Sequence, residues 1–250
     1  MNNDASFQRL SGITSILAAL LAFGSIGFQA VVLGVTTDPF SNPTAILGIG
    51  ANGANLFRWG LILDIFGYYL LLAPLALLLW SRLKPKGMNL ITLYTLCGLA
   101  YMLIGAIGAT TLAAISPPLI EGYGLASGQQ RQVYEVVFSG FINAVYLGLW
   151  NLLESSLGGI WWLGIGFFLR REQPALGIFT SLLGIFALLD TLGRILNIKI
   201  IYTVGLGGML LFIPIWTLWF GIDLLRSRKM GDFHSQRTIN QTVEQREKRW

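Results

Sequence analysis

The stretch RQVYEVVFSGFINAVYLGLWNLLESSLGGIWWLGIGFFLR, from Arg131 to Arg170, decides the architecture, because it sets how often the chain crosses a membrane. As one helix, those 39 steps would reach about 59 Å at 1.5 Å per residue, twice a hydrocarbon core of about 30 Å. The stretch is therefore two spans, or one span with a helical extension beyond it. Charge separates the two, since Lys and Arg beside apolar segments gather on the cytoplasmic side. With one span, Arg82, Lys84 and Lys86, the Arg170–Arg171 pair, and Arg226, Arg228 and Lys229 all fall on one face. With two spans, the second and third groups cross to the other face. The one-span reading obeys the charge rule. It puts the span at about 146–169 and makes 116–145 an external segment, with 129–145 an external helix or a re-entrant piece.

Working outward, apolar runs place the other spans at about 11–35, 56–80, 89–115, 174–196 and 201–225. A secretory h-region would be about 7–15 residues long. The run from Ser11 to Val35 is longer and lacks a suitably placed small-residue cleavage site, so it reads as a retained first span. Thr36 to Asn55 carries Asp38-Pro39 and Asn42-Pro43, the chemistry of a loop. Ser116-Pro117-Pro118 stops the third span, and Pro174 opens the fifth, where its missing N–H costs little. The expected fold is all-α: a polytopic membrane helix bundle with six transmembrane helices and both termini cytoplasmic. Residues 1–230 form the membrane domain, and 231–250 a polar, mobile cytoplasmic tail. Arg9 and the tail residues Arg237, Arg246, Lys248 and Arg249 join the eight above, so 13 of 17 basic residues lie inside.

Composition agrees. The chain is 54% hydrophobic and 12% charged, with a mean hydropathy of +0.64, against about 25% charged in a soluble domain. These values exclude a disordered protein and a nucleic-acid-binding domain, and the net charge of +5 reflects membrane orientation. The lone Cys97 forms no internal disulfide and reads as a small buried hydrophobe. The lone His234 lies in the tail, so no span holds the ligands of a haem, di-iron or zinc centre. No cofactor and no metal are expected. GxxxxGK[ST], HExxH and GxSxG are all absent. The Asn240-Gln241-Thr242 sequon falls on the cytoplasmic side and carries no meaning there.

Two further patterns concern packing. Trp59 and Trp150 sit near outer helix ends and Trp80, Trp216 and Trp219 near inner ends, as an interfacial aromatic belt requires, whereas Trp161 and Trp162 fall mid-span. Small residues recur at helical spacing at Gly105, Ala109 and Ala113, at Gly140, Ala144 and Gly148, and at Gly177 and Ser181. Such ladders let helices approach closely within the bundle. Asp64-x-x-Gly67 and Asp190-x-x-Gly193 look alike, but their aspartates sit near opposite sequence ends of their helices, so no transporter repeat follows.

Charges inside spans cost about 2.5–3.5 kcal/mol each on insertion scales, so each needs a reason. Counted from the cytoplasmic ends, Asp64 lies about 27 Å up, Glu154 and Asp190 about 24 Å, and Arg194 about 30 Å. Three helices thus present a carboxylate at one level of the outer half. Arg58, Arg194 and Lys199 lie at or above it, together with Asn143, Asn151 and Asn197. In one reading each group snorkels to the headgroups or pairs locally, as Asp190 with Arg194 and Arg131 with Glu135 can at i,i+4. In the other, Arg58, Asp64, Asn151, Glu154, Asp190 and Arg194 converge on a polar pocket that takes a small solute or a lipid headgroup.

The opening Ser11-Gly12-Ile13 and the run from Leu70 to Leu78 resemble the DUF4386-like bacterial six-span membrane proteins. So do Leu147-Gly148-Leu149-Trp150 through Gly164-Ile165-Gly166, Ala175-Leu176-Gly177, and Leu188-Leu189-Asp190-Thr191-Leu192-Gly193. The resemblance covers nearly the whole membrane region. It implies six helices, and it implies no activity and no functional residues.

The expectation is a multi-pass protein of a bacterial inner (plasma) membrane that binds, and by extension transports, a small solute or lipid headgroup. The alternatives are a non-catalytic accessory or assembly subunit with a membrane-protein partner, and, third, an intramembrane acid/base enzyme. A carboxylate set without nucleophile, metal set or histidine argues against the last. The partners expected are the lipid bilayer, a small solute or lipid headgroup and, in the accessory reading, a membrane protein; nucleic acid is excluded. Cysteine labelling tests the central reading: Ser127→Cys is expected to react from outside the cell and Ser155→Cys to be protected, whereas two spans would expose position 155.

Overall fold

The computed structural model describes residues 3–34 and 40–247, with side chains described over 4–34 and 40–226. Asp38-Pro39, the side chains of His234 and of the sequon, and the tail cations beyond Arg226 lie outside the residues so described. Every regular element among the described residues is helical. Hydrocarbon dictates this, because each backbone N–H and C=O must find its partner within the chain.

The order is α1 (Asn3–Leu33), α2 (Pro43–Leu47), α3 (Gly50–Asp64), a π-helical segment Ile65–Tyr69, a 3-10 turn Leu70–Leu72, and α4 (Ala73–Leu83). A second 3-10 turn, Lys84–Lys86, leads to α5 (Met88–Leu125), followed by α6 (Gly128–Asn143) and a second π segment Ala144–Glu154. The chain ends with α7 (Ser155–Leu169), α8 (Pro174–Ile195) and α9 (Lys199–Glu247). Six rods are long and apolar enough to cross a membrane: Asp4–Leu33, Gly50–Lys86, Met88–Leu125, Gly128–Leu169, Pro174–Ile195 and Lys199–Arg226. The chain is an integral membrane protein. The decisive stretch of the sequence thus belongs to one rod, continuous from Gly128 to Leu169.

Each rod packs on its neighbours in the chain, and α9 returns against α1, so six rods close a ring in sequence order. One end of the ring gathers the basic turns. Lys86 pairs with Glu172, Gln173 Nε2 donates to Asp223 Oδ2 at 3.0 Å, and Gln8 Nε2 donates to the Leu224 carbonyl at 2.9 Å. The turns holding Arg82 to Lys86 and Arg170 to Glu172 therefore meet the last span's end. This is the grouping that a single crossing between Arg131 and Arg170 requires.

At the far end, the third span does not stop at Ser116-Pro117-Pro118. Helix α5 runs through both prolines to Leu125, turns at Ala126-Ser127 and comes back as α6. Tyr123 Oη donates to Glu135 Oε1 at 2.9 Å, and Arg131 lies 4.2 Å over the Tyr123 ring, so residues 116–143 form a helical hairpin. The stretch expected as a loop before the second span is shorter too: Asn42 caps α2 by accepting from Ala45 N at 3.1 Å, and α3 starts at Gly50. Gly50 has φ +71°, the left-handed region that glycine enters without penalty.

Burial corrects two tryptophan readings. Trp216 is fully buried and donates to Thr180 Oγ1 at 2.8 Å, so it is no belt residue. Trp150 is buried as well. Trp161 and Trp162, unexplained by a belt, pack edge-on against Trp216 and, with Tyr101, form an aromatic floor across the middle of the ring. Trp59 and Trp219 do face outward.

The ladders also divide. An added Cβ at Gly105 would lie 2.0 Å from the Tyr69 ring, and at Gly177 2.4 Å from Arg170 N, so these positions let neighbours in. Gly140 and Gly148 meet nothing within 4 Å, and Ala144 is exposed. This ladder faces out of the bundle, because the π segment turns Tyr146 and Trp150 inward and the small residues away.

Contact decides the cost of a methyl group. Gly205→Ala would press a Cβ to 2.3 Å from Asp190 N and 2.7 Å from the Phe186 carbonyl, and overpacking of this kind costs about 1–3 kcal/mol. Gly27 has open space. Thermal unfolding in detergent is expected to show a lowered midpoint for Gly205→Ala and none of that loss for Gly27→Ala.

Candidate functional site

Two of the rods leave α-helical geometry at the same level of the bundle, and both departures border one cavity. In the second span the π segment begins right after Asp64. Gly67 lies so close to α1 that a Cβ would come within 2.4 Å of Ala22 N, and the chain is reset at Tyr69, whose φ and ψ are −127° and −80°. The widened turn throws Tyr68 and Tyr69 inward, where both are buried. In the fourth span the π segment of 11 residues turns Tyr146, Trp150, Asn151 and Glu154 to the interior. Single-turn π bulges recur at functional sites; here a five-residue and an 11-residue π segment border one cavity.

Departures of this kind strand backbone carbonyls, and side chains recapture them. Pro214 in α9 has no N–H for the carbonyl four residues earlier, and Tyr68 Oη donates to that Leu210 oxygen at 2.8 Å. Tyr101 Oη reaches the Tyr68 carbonyl at 3.3 Å. Ser155 Oγ lies 3.1 Å from the Trp150 carbonyl, an alternative acceptor for its one hydrogen beside Asp190, and Thr191 Oγ1 donates to the carbonyl of Asn151 at 3.2 Å. Trp150 Nε1 donates to the Gly105 carbonyl at 3.2 Å, over a glycine pair that leaves room: a Cβ at Gly108 would sit 2.3 Å from that nitrogen.

The cavity lies between these segments and α9. Asp64, Tyr69, Asn151, Glu154 and Ser155 border it, with Leu206, Met209 and Ile213 from α9 opposite. Phe40 closes one side, its ring 5.3 Å from those of Tyr146 and Trp150. Water-sized spheres fit over about 70 Å³. One water needs roughly 10–15 Å³ on that measure, so the space takes about five waters or a ligand of a few heavy atoms.

Asp64 Oδ1 accepts from Ser25 Oγ at 3.4 Å, and Ser25 Oγ in turn accepts from Gln29 Nε2 at 3.1 Å. Glu154 Oε2 accepts from Tyr69 Oη at 3.3 Å. Asp190, fully buried on α8, stands one step behind the wall. Its Oδ2 accepts from Ser155 Oγ at 3.1 Å, and its Oδ1 faces Arg194 Nε at 3.5 Å. Arg194 also donates to Tyr146 Oη at 2.8 Å and lies 4.0 Å over the Tyr202 ring.

No protein-family model, no curated protein and no solved structure matches this chain. The site therefore has to be read from its own chemistry.

Of the six residues named from the sequence, Asp64, Asn151 and Glu154 border the cavity. Asp190 joins through Ser155, and Arg194 through Tyr146. Arg58 is exposed and stands apart. Asn143, Asn197 and Lys199 are exposed as well, and Asn197 has φ +54° in the turn between α8 and α9, a backbone role that asparagine tolerates. The i,i+4 pairing expected of Asp190 and Arg194 is present, and it lies inside the bundle. Sequence reasoning missed Tyr68, Tyr69, Tyr101, Ser25 and Ser155. A signal existed for two of these, since Tyr68 and Tyr69 follow Asp64 within about one and a half turns of helix.

The ion pair is testable. Removing one partner of a buried pair costs about 3–5 kcal/mol, while replacing both with apolar groups is often neutral. Arg194→Leu is expected to lower the unfolding midpoint sharply, and Asp190→Leu/Arg194→Leu to recover most of the loss. A double variant no better than the single one would mean that the pair does not act as a unit.

Proposed function

We propose that this protein binds a small polar solute or lipid headgroup in the cavity between its two π segments, and that carriage across the membrane extends that binding. One observation carries the reading: Asp64, Glu154 and, through Ser155, Asp190 come from three different rods to one cavity instead of facing outward. Charged groups inside spans are costly and mark solute pathways by default. The chemistry suits recognition, with hydroxyls and an amide among aromatic and aliphatic walls.

The setting is a bacterial inner membrane, with both termini and the basic turns in the cytoplasm. The charge bias supports that orientation, and it puts the cavity in the outer half of the bundle. The likeness to DUF4386-like proteins supports six helices and adds no activity.

A second reading, an accessory subunit, is favoured by the outward ladder of Gly140, Ala144 and Gly148, which a partner helix could approach closely. Native mass spectrometry of the purified chain separates the two. A solute-binding protein is expected to retain a small-molecule or lipid adduct that Leu206→Trp, which fills the cavity, removes. An accessory subunit would carry a protein partner, and Leu206→Trp would change nothing.

A further inference from the structure

We propose that the ligand of this cavity is a small organic ammonium with a hydrogen-bond acceptor beside its charge, an amino-alcohol. Its cation lies between Asp64 and Glu154, and its acceptor on the Asn151 amide. The proposal rests on the cavity being a small-solute site and adds the substrate class.

Charge is the first ground. Three carboxylates are buried at this level, and the guanidinium of Arg194 is engaged with Asp190. Among the described residues, Asp64 and Glu154 enter no ion pair; each has a single long hydrogen bond from a hydroxyl, at 3.4 and 3.3 Å. A carboxylate offers about four acceptor sites, so most of theirs stay open. A buried carboxylate is neutralised by a proton or by a cation; an ammonium ligand supplies the second, and an anionic ligand would make the site worse.

The second ground is independent of the carboxylates. Asn151 is 2% exposed, borders the cavity, and its Nδ2 has no hydrogen-bond partner. An acceptor on whatever fills the cavity beside Asn151 would relieve that amide, because a buried polar group without a partner is penalised.

The wall and the volume choose the kind of cation. Tyr69, Tyr101 and Trp150 border the space, and aromatic rings attract organic ammonium groups. An inorganic cation such as calcium wants six to eight oxygen ligands; among the described residues no three carboxylate, Cys or His side chains come together to hold a metal. Room for about five water-sized volumes fits an amino-alcohol of four heavy atoms. The same group exists free or as the headgroup of phosphatidylethanolamine.

Calorimetric titration of the purified full chain in detergent tests this with four probes of similar size: ethanolamine, ethylammonium, ethylene glycol and acetate. Saturable binding is expected for ethanolamine, binding about tenfold weaker for ethylammonium, which lacks the acceptor, and none for the neutral and anionic probes. Glu154→Gln and Asp64→Asn are each expected to weaken ethanolamine about tenfold or more. Asn151→Leu is expected to abolish the preference over ethylammonium, and Glu172→Gln, at the opposite end of the bundle, to change nothing. Should a variant fail to fold, the four-probe series on the natural chain still decides. In nanodiscs, phosphatidylethanolamine that competes with ethanolamine identifies the headgroup as the source. Equal affinity with phosphatidylglycerol alone identifies the free solute; both outcomes uphold the chemistry. Binding of ethylene glycol or acetate in place of ethanolamine, or ethanolamine binding untouched by Glu154→Gln and Asp64→Asn, overturns the proposal and leaves a small-solute site standing. Binding of no probe overturns the proposal too, and an adduct that survives Leu206→Trp removes the small-solute site as well.

Discussion

Within hydrocarbon, a helix can be interrupted only where something recaptures the backbone groups set free, and this bundle is organised around one such recapture. The Tyr68 hydroxyl, carried inward by the π segment of the second span, holds the Leu210 carbonyl that Pro214 leaves open in the last. The bond crosses the ring. It ties the two interruptions to each other, and the space beside them is the cavity.

What surrounds that bond follows from size. Glycines at 67, 105 and 108 stand where a side chain would collide with Ala22, Tyr69 or Trp150, so the rods approach closely enough for tyrosine and tryptophan hydrogen bonds to reach across. Below this level, Tyr101, Trp161, Trp162 and Trp216 fill the ring with aromatics packed edge to face. Above it, carboxylates, hydroxyls and an amide enter a cavity whose remaining walls are aromatic and aliphatic. Polar groups are thus concentrated at one depth, over an aromatic floor at mid-bundle.

Much of the candidate site was legible because lipid makes charge conspicuous. Counting residues from the basic turns put Asp64, Glu154 and Asp190 at one level, and the structure brings all three to the same region. The counting had no means of telling which way a side chain points. Arg58 sits at the right height and faces out, whereas Tyr69 and Tyr101, which hydropathy treats as ordinary apolar residues, form the wall. The tryptophans show the same limit. Position along a helix suggested an interfacial belt for Trp150 and Trp216, and only the neighbouring helices reveal that both are buried.

The sequence by itself determined that the chain lives in lipid, that it forms six helical rods, and that the basic turns belong at one end, because those properties depend on composition and on spacing along a single chain. The tertiary structure decided how the helices are rotated, where they widen into π turns, and which polar groups share a cavity. An α-helix repeats every 3.6 residues, so one extra residue in a turn redirects all that follows, and no count along the sequence registers that until the neighbouring rods are in place.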